Sequence, residues 1–234
     1  MKIEAGTIMP NPTEVPHYLS ETYWWAYVHP RAIHVFERQW LVNLILWGRF
    51  GPLRDAALDA LGLDCPGRTL QVACVYGDLT AKLLQRAVPG SSLEVIDVLP
   101  LQLANLARKL PADSAVNLIR CDSAAMEFES GRYDRALLFF LLHEQPEVVR
   151  KATIAQTLRV VKPGGRVVIV DYHRPSLLNP LYVPMIGILR TLEPFALDLW
   201  RREITDWFPA DVKVAEVKTT TSFGGLYQML IITV

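Results

Sequence analysis

Between residues 69 and 170 five short apolar runs alternate with helical stretches, and this alternation restricts the fold more than any other feature. The runs are 69–75, 93–98, 117–121, 135–142 and 166–170, mostly rich in β-branched side chains. Residues 79–88, 99–110 and 147–161 between them are helical in character; in the last, Ile154, Leu158 and Val161 share a face. Strands separated by single helices assemble into a parallel sheet with right-handed crossovers. The run from Ala136 to Leu142 is apolar without alternation, as expected of a strand covered on both faces. Pro163-Gly164-Gly165 ends the last helix and turns the chain into the fifth strand. Two further runs, 212–219 and 226–234, flank a turn containing Gly224-Gly225, which gives seven predicted strands.

A chain of 234 residues suits one α/β domain, and a 51% hydrophobic content can fill its core, which excludes wholesale disorder. The 24 Lys+Arg balance the 24 Asp+Glu, so the chain lacks the basic excess of a dedicated nucleic-acid binder. Cys65, Cys74 and Cys121 form no CxxC pair, which argues against a disulfide scaffold or a zinc cluster and for a reducing compartment. No GxGxxG follows the first strand, so an NAD-dependent dehydrogenase is disfavoured.

Residues 1–64 read as an irregular arm followed by a helical cap. Apolar residues recur at Ile33, Phe36, Trp40, Leu44 and Trp47 with a helical period, and Gly51-Pro52 is expected to break that run. The opening residues have no apolar segment of the signal-peptide kind, and no stretch of about 18 apolar residues predicts a membrane-spanning helix. Residues 40–50 and 177–192 come nearest to one. The second lies in a 174–205 insertion, with Pro175, Pro180, Pro184 and Pro194, that reads as an apolar lid on a 65–234 domain.

Open parallel sheets bind ligands beyond the carboxyl ends of their strands, so the residues there carry the functional expectation. Asp97, after the second strand, can accept both hydroxyls of a ribose, which is favoured over a solvated loop acid or a helix cap. Asp122, beside Ser123 after the third strand, can accept from an exocyclic amine such as that of adenine, or cap the turn that follows. His143, Glu144, Asp171 and His173 converge from adjacent strand ends and suit acid–base work or a metal with mixed N and O ligands. His173 with Arg174 could instead polarise a carbonyl.

The segments LQVACVYGDLTAKLL, VIDV, RCDSAAMEF, YDRALLFFLLHE and LRVVKPGGRVVIVDY resemble a class I S-adenosylmethionine-dependent methyltransferase, nearest to the ubiquinone and menaquinone C-methyltransferases. The resemblance covers about residues 65 to 172. It implies a Rossmann-like class I methyltransferase fold: a seven-stranded, mostly parallel sheet whose last strand is antiparallel, here with an N-terminal helical extension. Such enzymes usually open the first loop with an acid and three glycines. Gln71, Ala73, Val75 and Gly77 stand at those positions here, so the acid and two glycines are replaced. A non-binding copy of the fold is one reading of that change.

The stretches VACVYGDLT, LLHEQPEVVR and VDYHRPSLLNP resemble a narrower family, the methyltransferase-like proteins of rhodoquinone biosynthesis. That resemblance implies conversion of ubiquinone to rhodoquinone, with a ring methoxyl replaced by an amine. S-adenosylmethionine would be the nitrogen donor, bound by Gln71, Ala73, Val75, Gly77, Asp97, Asp122 and Ser123. A divalent metal such as Mn²⁺ is implied too, with Glu144, Asp171 and His173 as its expected ligands. A quinone carbon bearing methoxyl is electrophilic and is attacked by an amine. Tyr76 and Asp78 would then orient or deprotonate the ammonium, with His143 as a third catalytic residue, although Asp78 could also simply cap the helix after it.

A long-tailed quinone lies in the bilayer. Trp24, Trp25, Tyr27, Trp40 and Trp47, flanked by Arg38 and Arg49, would suit an interfacial position, and 177–200 a tail-binding wall; plain packing on the sheet is the alternative. The expected location is cytoplasmic, peripheral to the inner membrane. The rival functions are a conventional C- or O-methyltransferase on a quinone precursor and a non-catalytic binding module of a quinone-biosynthesis assembly.

Overall fold

The computed structural model describes residues 15–23 and 36–234. Trp24, Trp25, Tyr27, Ile33 and the arm up to residue 14 lie outside the described residues. Among the described residues three helices precede the sheet: α1 (His17–Thr22), α2 (Gln39–Ile45) and α3 (Phe50–Leu61). Then follow β1 (Arg68–Val72), α4 (Leu79–Leu84), β2 (Ser92–Asp97), α5 (Pro100–Lys109), β3 (Val116–Arg120) and β4 (Tyr133–Phe139). The remainder is α6 (Glu147–Val160), β5 (Val161–Tyr172), α7 (Tyr182–Leu192), β6 (Glu216–Ser222) and β7 (Tyr227–Thr233).

The seven strands form one sheet in the order β3-β2-β1-β4-β5-β7-β6. β7 runs antiparallel to both neighbours, and the other six strands are parallel to one another. The sheet is therefore the expected Rossmann-like class I arrangement. Its centre is dry, because Leu70, Val95, Leu137 and Val168 come from strands with helices on both sides and are fully buried. The strand order reverses between β1 and β4, and ligands of such sheets bind at that reversal.

Several boundaries differ from the sequence expectation. β1 stops at Val72 rather than 75, because Ala73 turns the chain with φ 70°. β4 stops at Phe139 because Phe140 takes φ 54°, and Leu142–Glu144 form a short 3₁₀ turn. The helical run breaks at Trp47 (φ 52°) and Gly48 (φ 75°), not at Gly51-Pro52. Those two residues sit in the first turn of α3, where a proline's missing N–H costs no helical bond. β6 extends to Ser222, nearer the hairpin turn than 212–219; its Thr-rich edge is mostly exposed and carries no apolar signal.

Pro163-Gly164-Gly165, expected as the turn into the fifth strand, lie inside β5 where its pairing with β4 shifts register, and Gly165 is required there by space. A Cβ there would lie 2.7 Å from Lys162 O and 2.8 Å from Asp134 O, both backbone. That close approach lets β5 enter beside β4.

Candidate active site

The loop after β1 is held from several directions. Ala73 N–H donates to Ile96 O at 2.9 Å, Cys74 N–H to Asp97 Oδ2 at 2.8 Å and Gly77 N–H to Glu37 Oε1 at 3.0 Å. Lys109 Nζ donates to Gly77 O at 3.0 Å and is ion-paired with Glu37 at 2.7 Å. Asn105 Nδ2 donates to the other Glu37 oxygen at 2.6 Å. From below, Gln71 Nε2 donates to Ala73 O at 3.0 Å while its Oε1 accepts from Thr80 at 2.9 Å. Side chains on α5 and in the 36–38 segment thus do the holding that a glycine-rich loop leaves to its ligand.

Tyr76 stacks on Phe36, with ring centroids 6.0 Å apart, and its hydroxyl accepts from Gln102 Nε2 at 2.8 Å. Burial raises its phenol pKa and keeps the hydroxyl protonated, so Tyr76 forms a hydrogen-bonding part of the cavity wall. Asp78 occupies the N-cap position of α4 but makes no side-chain capping bond. Its Oδ1 accepts from Arg54 Nη1 at 2.6 Å, on the side of the loop away from the cavity described below.

At the end of β2, Asp97 is buried. Oδ2 accepts from Cys74 N–H, and Oδ1 accepts from Leu99 N–H at 2.8 Å. Burial pushes its pKa up to about 6, against the lowering effect of those two amides. Each oxygen takes one backbone bond and the Cys74 thiol adds a third, so of the four lone pairs one is left for a ligand. At the end of β3, Asp122 Oδ1 accepts from Ala124 N–H at 2.8 Å and shapes the turn. Ser123 Oγ bonds Thr153 Oγ1 at 2.8 Å and accepts from Gln145 Nε2 at 3.1 Å. Gln145 Oε1 is buried and takes no hydrogen bond among the described residues.

The turn after β4 carries His143, with 5% exposure. Its Nδ1 lies 2.9 Å from Asp171 Oδ1. Asp171 is fully buried and saturated: it also accepts from the N–H groups of Leu142, His143 and Tyr172. His143 Nε2 stands 3.8 Å from Glu144 Oε1 and 3.9 Å from Glu193 Oε2. Burial alone would lower the His143 pKa, but Asp171, Glu193 and Glu144 outweigh it and raise the value to about 9. Burial raises that of Glu193.

Arg150, fully buried on α6, positions this turn. Its guanidinium donates to Leu142 O and Gln145 O at 2.8 Å and to Phe195 O at 2.9 Å, and lies 4.5 Å from the centroid of Trp207.

These groups border one cavity of about 660 Å³. Ala73, Val75, Tyr76, Asp97, Asp122, Ser123, His143 and Glu144 all line it. Gln71 and Gly77, expected to touch a cofactor, lie behind the loop, because their polar groups are engaged with Thr80, Ala73, Glu37 and Lys109. The expected metal trio is not assembled. Asp171 is enclosed beneath His143, and His173 Nδ1 donates to Gly225 O at 2.8 Å, clipping β5 to the β6–β7 turn. Neither lines the cavity, nor does Arg174, so His173 and Arg174 do not face a carbonyl bound there. Among the described residues no group of three His, Cys, Asp or Glu can hold a metal ion, and the implied Mn²⁺ does not fit.

The sequence reading missed Glu37, Gln145, Arg150 and Glu193. The signal for Glu193 was present, as the one acid at the end of a long apolar run; nothing marked Glu37 or Arg150.

The mouth of the cavity is apolar. Leu44, Ile45 and Trp47 at the end of α2, with Ile188 and Leu192 on α7, both line it and face solvent. Trp40, Leu177, Leu178 and Val183 extend the exposed apolar surface, with Leu178 at 93% exposure. No helix among the described residues is long and apolar enough to cross a membrane.

Residues 69–165 match the family described as a methyltransferase domain. The chain is 27% identical over 200 residues to a demethylmenaquinone methyltransferase of Thermus thermophilus, covering 81% of this chain and 89% of the relative. It is 33% identical over 141 residues to a 2-phytyl-1,4-naphtoquinone methyltransferase of Synechococcus elongatus, covering 58% of this chain and 55% of the relative, so it spans about half of that protein. Among solved structures, an O-methyltransferase family protein from Burkholderia thailandensis superposes with a TM-score of 0.61 at 18% identity. That match covers 87% of this chain and 59% of the other and shows the shared fold.

Proposed function

We propose, from the match of residues 69–165 to a methyltransferase domain, that this protein is a class I, S-adenosylmethionine-dependent enzyme that modifies a lipophilic quinone at a membrane surface. One observation carries the reading: a cavity with carboxylates at its strand-end wall opens through a frame of exposed apolar side chains. Such a mouth suits a substrate whose ring must be reached while its tail stays in lipid. The quinone methyltransferases among the relatives support the same substrate class.

S-adenosylmethionine fits the cavity chemically. Asp97 would accept a ribose hydroxyl, and Asp122 or the unpaired Gln145 Oε1 its adenine amine. The cofactor, when bound, supplies the transferred group. For the transfer itself we favour amination, ubiquinone to rhodoquinone, over methylation. Val75 replaces a glycine in the loop that normally grips the amino-acid end, Tyr76 adds bulk beside it, and Tyr76 is fixed by Phe36 and Gln102. A loop rebuilt there bears on which end of the cofactor meets the ring. Conventional methylation of a quinone precursor is the second reading, favoured by the activities in the relatives' names. The proposed location is the cytoplasmic face of the inner membrane, held there peripherally.

The test is expression in a bacterium that makes ubiquinone but no rhodoquinone, followed by lipid mass spectrometry. Loss of a methoxyl with gain of an amine supports amination. An added methyl supports the second reading, and unchanged quinones remove both.

A further inference from the structure

We propose that the apolar mouth of the cavity docks on an anionic lipid surface, its arginines meeting the headgroups while its apolar side chains enter the bilayer. The inference rests on the membrane reading above and adds the charge of the surface that the protein selects.

The charges around the mouth are of one sign. Residues 38–50 and 174–192 carry its exposed apolar side chains, and together they contain four arginines, Arg38, Arg49, Arg174 and Arg190, and no Asp or Glu. The whole chain balances 24 Lys+Arg against 24 Asp+Glu, so setting these four apart leaves 20 against 24 elsewhere. All four arginines are exposed, and among the described residues no acid pairs with any of them. Arg54, Arg86 and Arg132, by contrast, are each bound to a carboxylate. The acids that adjoin the two segments are turned away. Glu37 accepts from Gly77 N–H and Asn105 and pairs with Lys109, and Glu193 lies beside His143.

The two segments make one surface. Both border the cavity, through Leu44, Ile45 and Trp47 on one side and Ile188 and Leu192 on the other. Away from the cavity Arg49 closes the join: its guanidinium lies 4.5 Å from the centroid of Phe223, whose carbonyl accepts from Asn179 at 2.9 Å. Arg38 and Arg49 bracket the run from Trp40 to Trp47. Arg190 stands seven residues after Val183 on α7, so these two exposed side chains share a side of that helix. An apolar face alone would suit neutral lipid. Apolar side chains interleaved with unpaired arginines suit a phase that is apolar within and anionic at its boundary, where each arginine stem lies along apolar surface and its guanidinium meets phosphate.

The test is flotation of the full chain with vesicles of phosphatidylcholine alone and of phosphatidylcholine mixed with phosphatidylglycerol, at low and at high salt. One basic side chain near an anionic surface strengthens binding about fivefold. The four together should favour the mixed vesicles at least tenfold, and salt of about 0.5 M should remove most of that preference. The fourfold variant Arg38→Gln, Arg49→Gln, Arg174→Gln and Arg190→Gln should lose the preference while keeping the parent's binding to phosphatidylcholine. A control with Arg68→Gln, Lys213→Gln and Lys218→Gln, exposed cations outside the two segments, should keep it. Equal binding of the parent to both vesicles leaves the membrane reading standing and overturns this one. So does a preference that survives in the fourfold variant or falls equally in the control. Binding to neither vesicle removes the membrane reading and this one with it, and assigns the face to a protein partner.

Discussion

Arg54 on α3 donates to Asp78 at the cap of α4 across a 2.6 Å ion pair, joining the N-terminal helices to the far side of the first loop. Asp78 therefore works on the structure rather than on a ligand in the cavity. Replacement by asparagine should cost about 1–2 kcal/mol, because a charge-assisted bond to a mostly buried guanidinium weakens while Asp55 still pairs with it. Urea unfolding measures the loss. The affinity for S-adenosylhomocysteine should stay within a few-fold of the parent's.

Asp97 tests the cofactor wall. Asp97→Asn removes the charge that would face a ribose and should weaken S-adenosylhomocysteine binding roughly tenfold or more. The parent should show the same effect with acid. Its pKa lies near 6, so the carboxylate is present above that pH and takes up a proton as pH falls through it. Affinity measured by calorimetry should drop between pH 7 and 5 in the parent and change less in the variant.

His143 predicts a pH dependence of stability with the opposite sense. Its folded pKa, about 9, exceeds the ordinary 6.5, so the folded chain holds the proton more tightly than the unfolded one. That stabilisation is complete below about 6.5 and is lost as pH rises through about 9. The melting temperature should fall over this window, and His143→Gln should flatten the fall. A parent whose melting temperature is level from pH 6.5 to 9 contradicts the assignment.

The apolar mouth predicts binding to lipid. The double substitution Leu44→Glu and Leu178→Glu puts two charges on side chains that are largely exposed, so the fold should tolerate it. Each buried leucine is worth about 1.5–3 kcal/mol in an apolar phase, so cosedimentation with lipid vesicles should fall at least tenfold. Undiminished cosedimentation argues against this face as the contact.

What the sequence made legible, and what it hid, follow from the range of the interactions involved. The parallel strands are written in short-range pattern: Ala136–Phe139 and Val167–Val170 are buried on both faces and read as unbroken apolar runs. Asp97, Asp122 and His143 were visible because a strand end is a fixed address relative to such runs. Glu37 and Arg150 were not, since their roles depend on partners across the fold. Glu37 meets Lys109, and Arg150 meets Phe195, at sequence distances that no periodicity encodes. Asp171 and His173 show the converse failure. They are close in sequence to the cavity wall, yet Asp171 is enclosed under His143 within β5, while His173, just past the end of that strand, turns toward Gly225.

Ala73 holds a left-handed φ of 70° although its methyl group disfavours that conformation by about 1–2 kcal/mol. The strain persists because Ile96, Asp97, Glu37, Gln71 and Lys109 hold the loop backbone by hydrogen bonds. A loop held by the chain's own groups is preorganised, and the entropy of ordering it is charged to folding rather than to association. Ligand entry then requires no disorder-to-order transition of residues 73–77. Its heat-capacity change should reflect only the surface that the ligand itself covers.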